Sequence, residues 1–194
     1  VVVHPADPNK IVFCHEGGLM VDHRLWIVDS DVRHKRRARP LYHEGPREFL
    51  VHEFALPDGT IGVQHTIFPE EDAGHGDWDL AEEHVMFLSD DGEVLADYRL
   101  PGRRDMHVHS TADRSLIVGD SWFPERDMPY EEGSRYMALH RPSGDRLTVD
   151  KLCVHDTSWE TQTSHPHPVF SPDEKSVVFN SDAGGASSCY VCEI

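Results

Sequence analysis

The fold is decided by one stretch of the sequence, QTSHPHPVFSPDEKSVVFNSD at residues 162–182. The stretch begins with an amide and two histidines, passes through a Ser-Pro-Asp turn and ends in a short apolar segment. An aspartate at the start of a turn accepts hydrogen bonds from its own backbone, so Asp173 predicts a sharp turn between two strands. Residues 162–182 therefore predict a hairpin that is preceded by a group of polar side chains.

The turn and the strand after it recur along the chain. They appear four times, at residues 6–15, 57–64, 112–120 and 172–182. Each is followed by a second apolar strand, at residues 24–29, 84–89, 135–140 and 188–192. Four short antiparallel strands in a unit of about 50 residues are typical of a β-propeller blade. The sequence therefore predicts an all-β propeller of four-stranded antiparallel blades, with about four blades in this chain.

The repeats also predict how the chain is organised. No stretch keeps a helical periodicity, so we expect little helix. Propellers have about four to eight blades, and an open set of blades leaves strand edges without partners. We predict that residues 1–194 form a single propeller domain and that the chain is the C-terminal part of a longer propeller.

Composition limits the partners of the chain. With 18 Lys and Arg against 35 Asp and Glu, the formal net charge is −17, which argues against a nucleic-acid partner. No apolar run approaches the roughly 18 residues of a membrane span, so we expect no membrane partner. The four cysteines, at positions 14, 153, 189 and 192, are predicted to be free thiols. Free thiols and the absence of an apolar leader predict a cytoplasmic location, while the oligomeric state stays open.

The histidines follow the repeats. His52, His107 and His167 each stand six residues before the aspartate of their turn. Equivalent positions in successive blades are related by rotation about the propeller axis, so these histidines are expected to converge there. On an extended strand His165 points to the same face as His167, and Gln162 approaches both if the chain bends. Imidazole nitrogens with an amide oxygen suit Mn²⁺, Fe²⁺, Zn²⁺ or Ni²⁺, so the pattern predicts a divalent metal site.

The sequence resembles the oligogalacturonate lyases of the pectate lyase 22 type, which are seven-bladed propellers. The resemblance rests on six motifs in a shared order, FCHEG at 13–17, VDHRLWIV at 21–28, HEFALPDG at 52–59, His107 with SLIVGD at 115–120, HDTSW at 155–159 and QTSHPHP at 162–168. It covers nearly the whole chain and places it in the C-terminal half of the family's length.

The resemblance implies roles for individual residues. It implies a Mn²⁺ site made of four side chains, His107, Gln162, His165 and His167. It also implies that His52 is the catalytic base and that Arg24 is its partner at the reacting sugar. The implied reaction is β-elimination on a short α-1,4-linked oligogalacturonate, an anionic oligosaccharide.

Other interpretations of these residues stay open at this stage. His15 either helps to bind the sugar or is a structural residue at the end of a strand. Arg24 either contacts substrate or pairs with Asp22 or Asp29 on a blade face. The chain as a whole has three alternative functions: a non-catalytic propeller scaffold or sensor, a metal-dependent hydrolase, or a lyase of the same fold that acts on another uronate.

Overall fold

The structure is a computed structural model that describes residues 1–15, 23–29, 38–69, 80–102, 104–120 and 135–194. Fifteen β-strands are present in these ranges, and no α-helix lies within them. The prediction of an all-β protein is confirmed. The chain divides into two compact units, residues 1–100 and 101–194, which are described separately. The prediction that residues 1–194 form a single domain stays a prediction.

The first unit contains two antiparallel meanders, each of four strands that pair in chain order. The first meander consists of β1 (Val2–Val3), β2 (Lys10–Cys14), β3 (Leu25–Asp29) and β4 (Arg39–Pro40). The second consists of β5 (Glu48–Ala55), β6 (Ile61–Ile67), β7 (Glu82–Leu88) and β8 (Val94–Arg99). These meanders are the first two predicted blades.

The second unit contains one antiparallel meander of four strands and one of three. The first consists of β9 (Val108–Ser110), β10 (Ile117–Gly119), β11 (Tyr136–Ser143) and β12 (Arg146–Val154). The other consists of β13 (Val169–Phe170), β14 (Ser176–Ser181) and β15 (Ser188–Glu193). All of the paired strands are antiparallel, as the four-stranded blade predicts.

The turn aspartates shape the same hairpin in all four blades. Each carboxylate accepts a hydrogen bond from the backbone N–H two residues further on, which closes the turn. The four donor–acceptor pairs are Asn9 to Asp7 at 3.0 Å, Thr60 to Asp58 at 2.9 Å, Ser115 to Asp113 at 2.9 Å and Lys175 to Asp173 at 3.3 Å. The repeat read from the sequence is therefore a structural repeat.

The apolar residues of the strands pack between neighbouring sheets of the same unit. In the first unit the buried cluster contains Val12, Leu25, Ile27, Leu41, Leu50, Ile61, Val63, Met86 and Leu88. In the second unit it contains Val118, Met137, Leu139, Phe170, Val177 and Phe179. Full burial of one such side chain stabilises the fold by about 1.5–3 kcal/mol, so these clusters hold each pair of blades together.

The cysteines and the possible membrane spans can be compared with the predictions from composition. All four cysteines lie in the part of the chain that the structure describes, and none forms a disulfide. No helix among the described residues is long and apolar enough to cross a membrane.

Candidate metal centre

Three of the predicted metal ligands meet in the second unit. The ring centroids of His107 and His167 lie 3.7 Å apart, and His165 lies 5.6 Å from His107 and 5.8 Å from His167. One ring nitrogen of each histidine lies within 4.8 Å of one ring nitrogen of the other two. Three imidazole nitrogens in this arrangement can face a single divalent cation.

The prediction that His165 and His167 share an extended strand is wrong. A 3₁₀ turn at Gln162–Ser164 precedes them, and β13 begins only at Val169. His167 adopts a left-handed backbone with φ of 44°. It lies between Pro166 and Pro168, which have no backbone N–H to donate to a strand ladder. The pair therefore lies in a loop, where a turn rather than strand geometry directs both rings to His107.

Gln162 lies beside the three histidines. Its Nε2 lies 3.3 Å from Nε2 of His167. A half-turn of the amide about its last bond exchanges nitrogen and oxygen with little change in shape, so Oε1 can occupy the position that faces the imidazole. The structure thus brings all four predicted ligand side chains together, and their role as ligands stays a prediction.

Asp120 orients His107. The Nδ1 atom of His107 donates to Oδ2 of Asp120 at 2.6 Å, which leaves the lone pair of the ring on Nε2. The other oxygen, Oδ1, accepts from the backbone N–H groups of Met106 at 3.0 Å and His107 at 2.7 Å. Asp120 therefore holds the ring of His107 as well as the backbone before β9. A carboxylate behind a histidine in this way is the usual support of a metal ligand.

Burial keeps these imidazoles neutral. Burial and the neighbouring His165 lower the pKa of His107 from 6.5 to about 3. Burial also lowers the pKa of His165, against the opposing effect of Asp120. A histidine must be neutral to bind a metal, so both residues are in the required state near neutral pH.

Trp159 forms a wall of the cluster. Its indole lies parallel to the ring of His107 at 6.3 Å and tilts against His165 at 4.9 Å. Trp159 is buried and has a left-handed φ of 61°. Residues held in this backbone region cost about 1–3 kcal/mol each and concentrate at functional sites. Trp159 and His167 both have this conformation, which marks the loop as a constrained site.

His52 lies in the first unit, within a bulge of β5. The pairing of β5 with β6 shifts between Val51 and Phe54, and His52 has a left-handed φ of 57°. Its Nδ1 lies 3.3 Å from Oε1 of Gln64. Since an amide oxygen only accepts, Nδ1 carries the proton and Nε2 keeps the basic lone pair.

Gln64 is itself fixed by a buried acid. Its Nε2 donates to Oε2 of Glu83 at 3.3 Å, and Thr66 donates to the same oxygen at 2.9 Å. Because the carboxylate accepts from the amide nitrogen, the amide oxygen must face His52. Glu83 therefore sets the tautomer of His52 through Gln64.

Arg24 lies against the strand that carries His52. Its Nε donates to the carbonyl of Leu50 at 3.0 Å, and its guanidinium lies 4.1 Å above the ring of Phe49. Arg24 is only 3% exposed. The alternative partners named from sequence, Asp22 and the side chain of Asp29, lie outside the described residues.

His15 lies next to Arg24 in the first unit. It is exposed, and its backbone N–H donates to the carbonyl of Arg24 at 2.6 Å. His15, Arg24 and His52 belong to one unit, whereas the histidine cluster belongs to the other. The predicted convergence of His52 with the cluster, and the roles of Arg24 and His15, stay predictions.

The sequence did not predict the residues that orient His52 and His107. Asp120, Gln64 and Glu83 lie 13, 12 and 31 residues from the histidines that they orient. Strand pairing brings them close, since Asp120 follows β10, which pairs with β9, and Gln64 pairs with Val51. The one indication of Asp120 in the sequence is its position directly after β10, the strand that follows the turn in this blade.

Comparison with known proteins identifies relatives along the whole chain. A family model described as "Oligogalacturonate lyase" matches residues 1–194. An oligogalacturonide lyase of Pectobacterium atrosepticum is 29% identical over 205 residues, which cover 100% of this chain and 49% of that protein. An oligogalacturonate lyase of Dickeya dadantii is 27% identical over 206 residues, with the same coverage of both chains.

Solved structures show the same relationship. An oligogalacturonate lyase in complex with manganese aligns with a TM-score of 0.73 and 26% identity, covering 99% of this chain and 47% of that one. TolB from Acinetobacter baumannii aligns with a TM-score of 0.59 over 96% of this chain and 39% of its own, and at 13% identity this likeness concerns the fold alone.

The antiparallel blades and the likeness to these solved structures define this chain as part of a β-propeller protein, which confirms the predicted fold class. The chain belongs to the oligogalacturonate lyase family. It spans about half the length of the curated relatives that it matches.

Proposed function

We propose that this chain carries the metal-dependent active site of an oligogalacturonate lyase, which cleaves short α-1,4-linked galacturonate chains by β-elimination. The observation that carries the proposal is the meeting of His107, His165 and His167, with Gln162 beside them, in a member of this family. A related oligogalacturonate lyase has been solved in complex with manganese, which supports Mn²⁺ as the cofactor of this chain.

The residues of the cluster fit such an ion. Three neutral imidazoles and one amide oxygen would hold such an ion and would leave room in its coordination shell for substrate oxygens. The hydrogen bond from His107 to Asp120 fixes the tautomer whose Nε2 can act as a ligand. When bound, the cation supplies a Lewis acid that offsets the negative charge of the substrate carboxylate and of the enediolate formed from it.

His52 is assigned the role of the base. Elimination requires removal of the proton on C5 of the sugar, cleavage of the bond from C4 to the glycosidic oxygen, and a proton for the departing oxygen. With Nδ1 bonded to Gln64, the lone pair on Nε2 of His52 is the proton acceptor. Glu83 stabilises the imidazolium that results, because its charge lies behind the amide that orients the ring.

Arg24 and His15 are assigned to the substrate. A chain with a net charge of −17 does not attract a polyanion by its overall field, so a local cation is needed. Arg24 supplies such a charge to a carboxylate or to the leaving oxygen. His15 is exposed beside it and is assigned to sugar binding.

The setting of the enzyme follows from the same proposal. An oligogalacturonate is its partner, and we predict a cytoplasmic location with no nucleic-acid or membrane partner. Degradation of pectin fragments is the metabolic process in which such a reaction takes part.

The experiment is a comparison of products from wild-type protein, His52→Ala and His167→Ala with trigalacturonate and Mn²⁺. The proposal predicts ultraviolet-absorbing unsaturated product from the wild type and at least about a hundredfold less from either variant. Mass spectrometry separates the alternatives, since a hydrolase gives fragments whose summed mass exceeds that of the substrate by one water. Product without a double bond, or unchanged product formation by both variants, contradicts the proposal.

A further inference from the structure

A second group of potential metal ligands lies in the first unit, on three adjacent strands. His65 on β6 stands directly opposite His84 on β7, and Asp97 on β8 stands opposite Met86. Since side chains alternate along a strand, all three ligand residues project from the same face of the sheet. We call them the 65–84–97 cluster.

The distances within the 65–84–97 cluster are close to those around a metal ion. The two oxygens of Asp97 face different rings, Oδ1 at 3.2 Å from Nδ1 of His84 and Oδ2 at 3.5 Å from Nδ1 of His65. One potential ligand atom of each residue lies within 4.8 Å of those of the other two. Ligand bonds of about 2.0–2.2 Å place neighbouring donor atoms roughly 3 Å apart, so a small closure of the cluster satisfies a cation.

His65 supplies the second observation. It is only 2% exposed, and neither of its ring nitrogens makes a hydrogen bond of good geometry, although Oδ2 of Asp97 lies 3.5 Å from Nδ1. A buried polar group without a hydrogen bond costs free energy and calls for a physical explanation. Its Nε2 lies 3.8 Å from Oε1 of Glu48, so carboxylates lie on both sides of the ring. A cation between His65 and Asp97 explains both the buried imidazole and the converging acids.

The cluster is accessible to an ion from solvent. The side chain of Asp97 is 30% exposed and that of Glu48 is 25% exposed, while His84 is 13% exposed. An ion that enters from solvent therefore meets the partly exposed carboxylate of Asp97 before it reaches the two more deeply buried imidazoles.

We propose that His65, His84 and Asp97 form a second divalent-cation site of the zinc type. Two imidazoles and one carboxylate are a common donor set for Zn²⁺, Fe²⁺, Co²⁺ and Ni²⁺, with positions left for water or Glu48. None of its ligands belongs to the candidate metal centre. A bound ion joins β6, β7 and β8, so its effect is to stabilise the blade that carries His52.

The test is a titration of the metal-free His107→Ala protein with Zn²⁺ by calorimetry, followed by Co²⁺ absorption spectroscopy. His107→Ala removes one ligand of the candidate metal centre and weakens it, and the comparison with Asp97→Asn assigns the remaining binding to the 65–84–97 cluster. The proposal predicts one equivalent of Zn²⁺ and a rise of several degrees in Tm. It also predicts that adding Asp97→Asn, which keeps the shape of the side chain, weakens binding by at least about tenfold.

Controls keep the result specific. His43→Ala removes a histidine of the same unit that lies outside the cluster, and it should leave the Zn²⁺ affinity unchanged. Circular dichroism of each metal-free variant establishes that it is folded. The proposal is overturned if the folded His107→Ala protein binds no Zn²⁺, or if Asp97→Asn binds it as tightly. In either case the cluster is an ion network in which a proton occupies the place assigned to the metal. Lyase activity plays no part in this test, so its outcome is independent of the proposed function.

Discussion

Asp120→Asn tests whether metal binding requires the hydrogen bond that orients a metal ligand, because the variant changes that bond and keeps the ligand, His107. The wild-type carboxylate is fully buried, and among the described residues it accepts hydrogen bonds from two backbone N–H groups and from Nδ1 of His107. Asparagine can keep its oxygen on the backbone groups and present its NH₂ to the ring. The ring must then accept at Nδ1 and carry its proton on Nε2, which removes the lone pair that faces the cluster.

The expected magnitude follows from these contacts. Loss of a partner behind a metal ligand reduces metal affinity about 10–100-fold, or about 1.4–2.8 kcal/mol. Because the backbone bonds remain, stability should fall by only about 1–2 kcal/mol. Asp120→Ala is a poorer choice, since each of the three donors would lose its acceptor at about 1–3 kcal/mol apiece.

The assay is calorimetric titration of the metal-free proteins with Mn²⁺. Asp182→Asn is the matched control, since Asp182 accepts from Ser158 and Thr157 in the same unit and is not bonded to a ring of the cluster. An unchanged Mn²⁺ affinity in folded Asp120→Asn, equal to that of Asp182→Asn, would refute the reasoning that Asp120 fixes the tautomer of His107.

Three further predictions concern the base, the packing and the pH dependence. Gln64→Leu should lower kcat about tenfold or more and shift the acid limb of the pH–rate profile, because His52 loses the acceptor that holds its proton on Nδ1. Measurement of kcat against pH, with KM unchanged, would check this. Gly119→Ala should lower the free energy of unfolding by about 1–3 kcal/mol or more, since a Cβ there meets the carboxylate of Asp105. Urea denaturation would measure this loss. Metal-free protein should lose stability as the pH falls from about 6.5 towards 3, since the unfolded chain then binds a proton that buried His107 does not, its pKa having been lowered to about 3. A flat urea midpoint across that range would contradict the last prediction.

The fold could be predicted from the sequence because the same local turn recurs in each blade. Asp7, Asp58, Asp113 and Asp173 each close a turn through a bond within three residues, so the signal needs no tertiary information. The repeat then locates the strands on either side and, by counting back from the turn, the histidines. The class of fold and the meeting of His107 with His167 follow from the same spacing.

The remaining features depend on contacts between distant residues. The prediction of a strand at His165 and His167 is wrong because Pro166 and Pro168 have no backbone N–H to donate to a strand ladder. The 3₁₀ turn before them also changes the direction of the chain. Asp120 and Gln64 are ordinary polar residues in sequence, and only strand pairing places them behind imidazoles. The 65–84–97 cluster could not be found from motif spacing, because its members meet across three strands rather than along one.

The most direct test of the central claim is a count of Mn²⁺ bound by the metal-free chain, read from the loss of the paramagnetic resonance signal of the free ion. His165→Ala is compared with His109→Ala, a histidine of the same unit that hydrogen-bonds the backbone of Phe170. The account predicts that His165→Ala binds one equivalent fewer than the wild type and that His109→Ala binds as many. Equal Mn²⁺ binding by the wild type and folded His165→Ala would contradict a metal centre at this cluster.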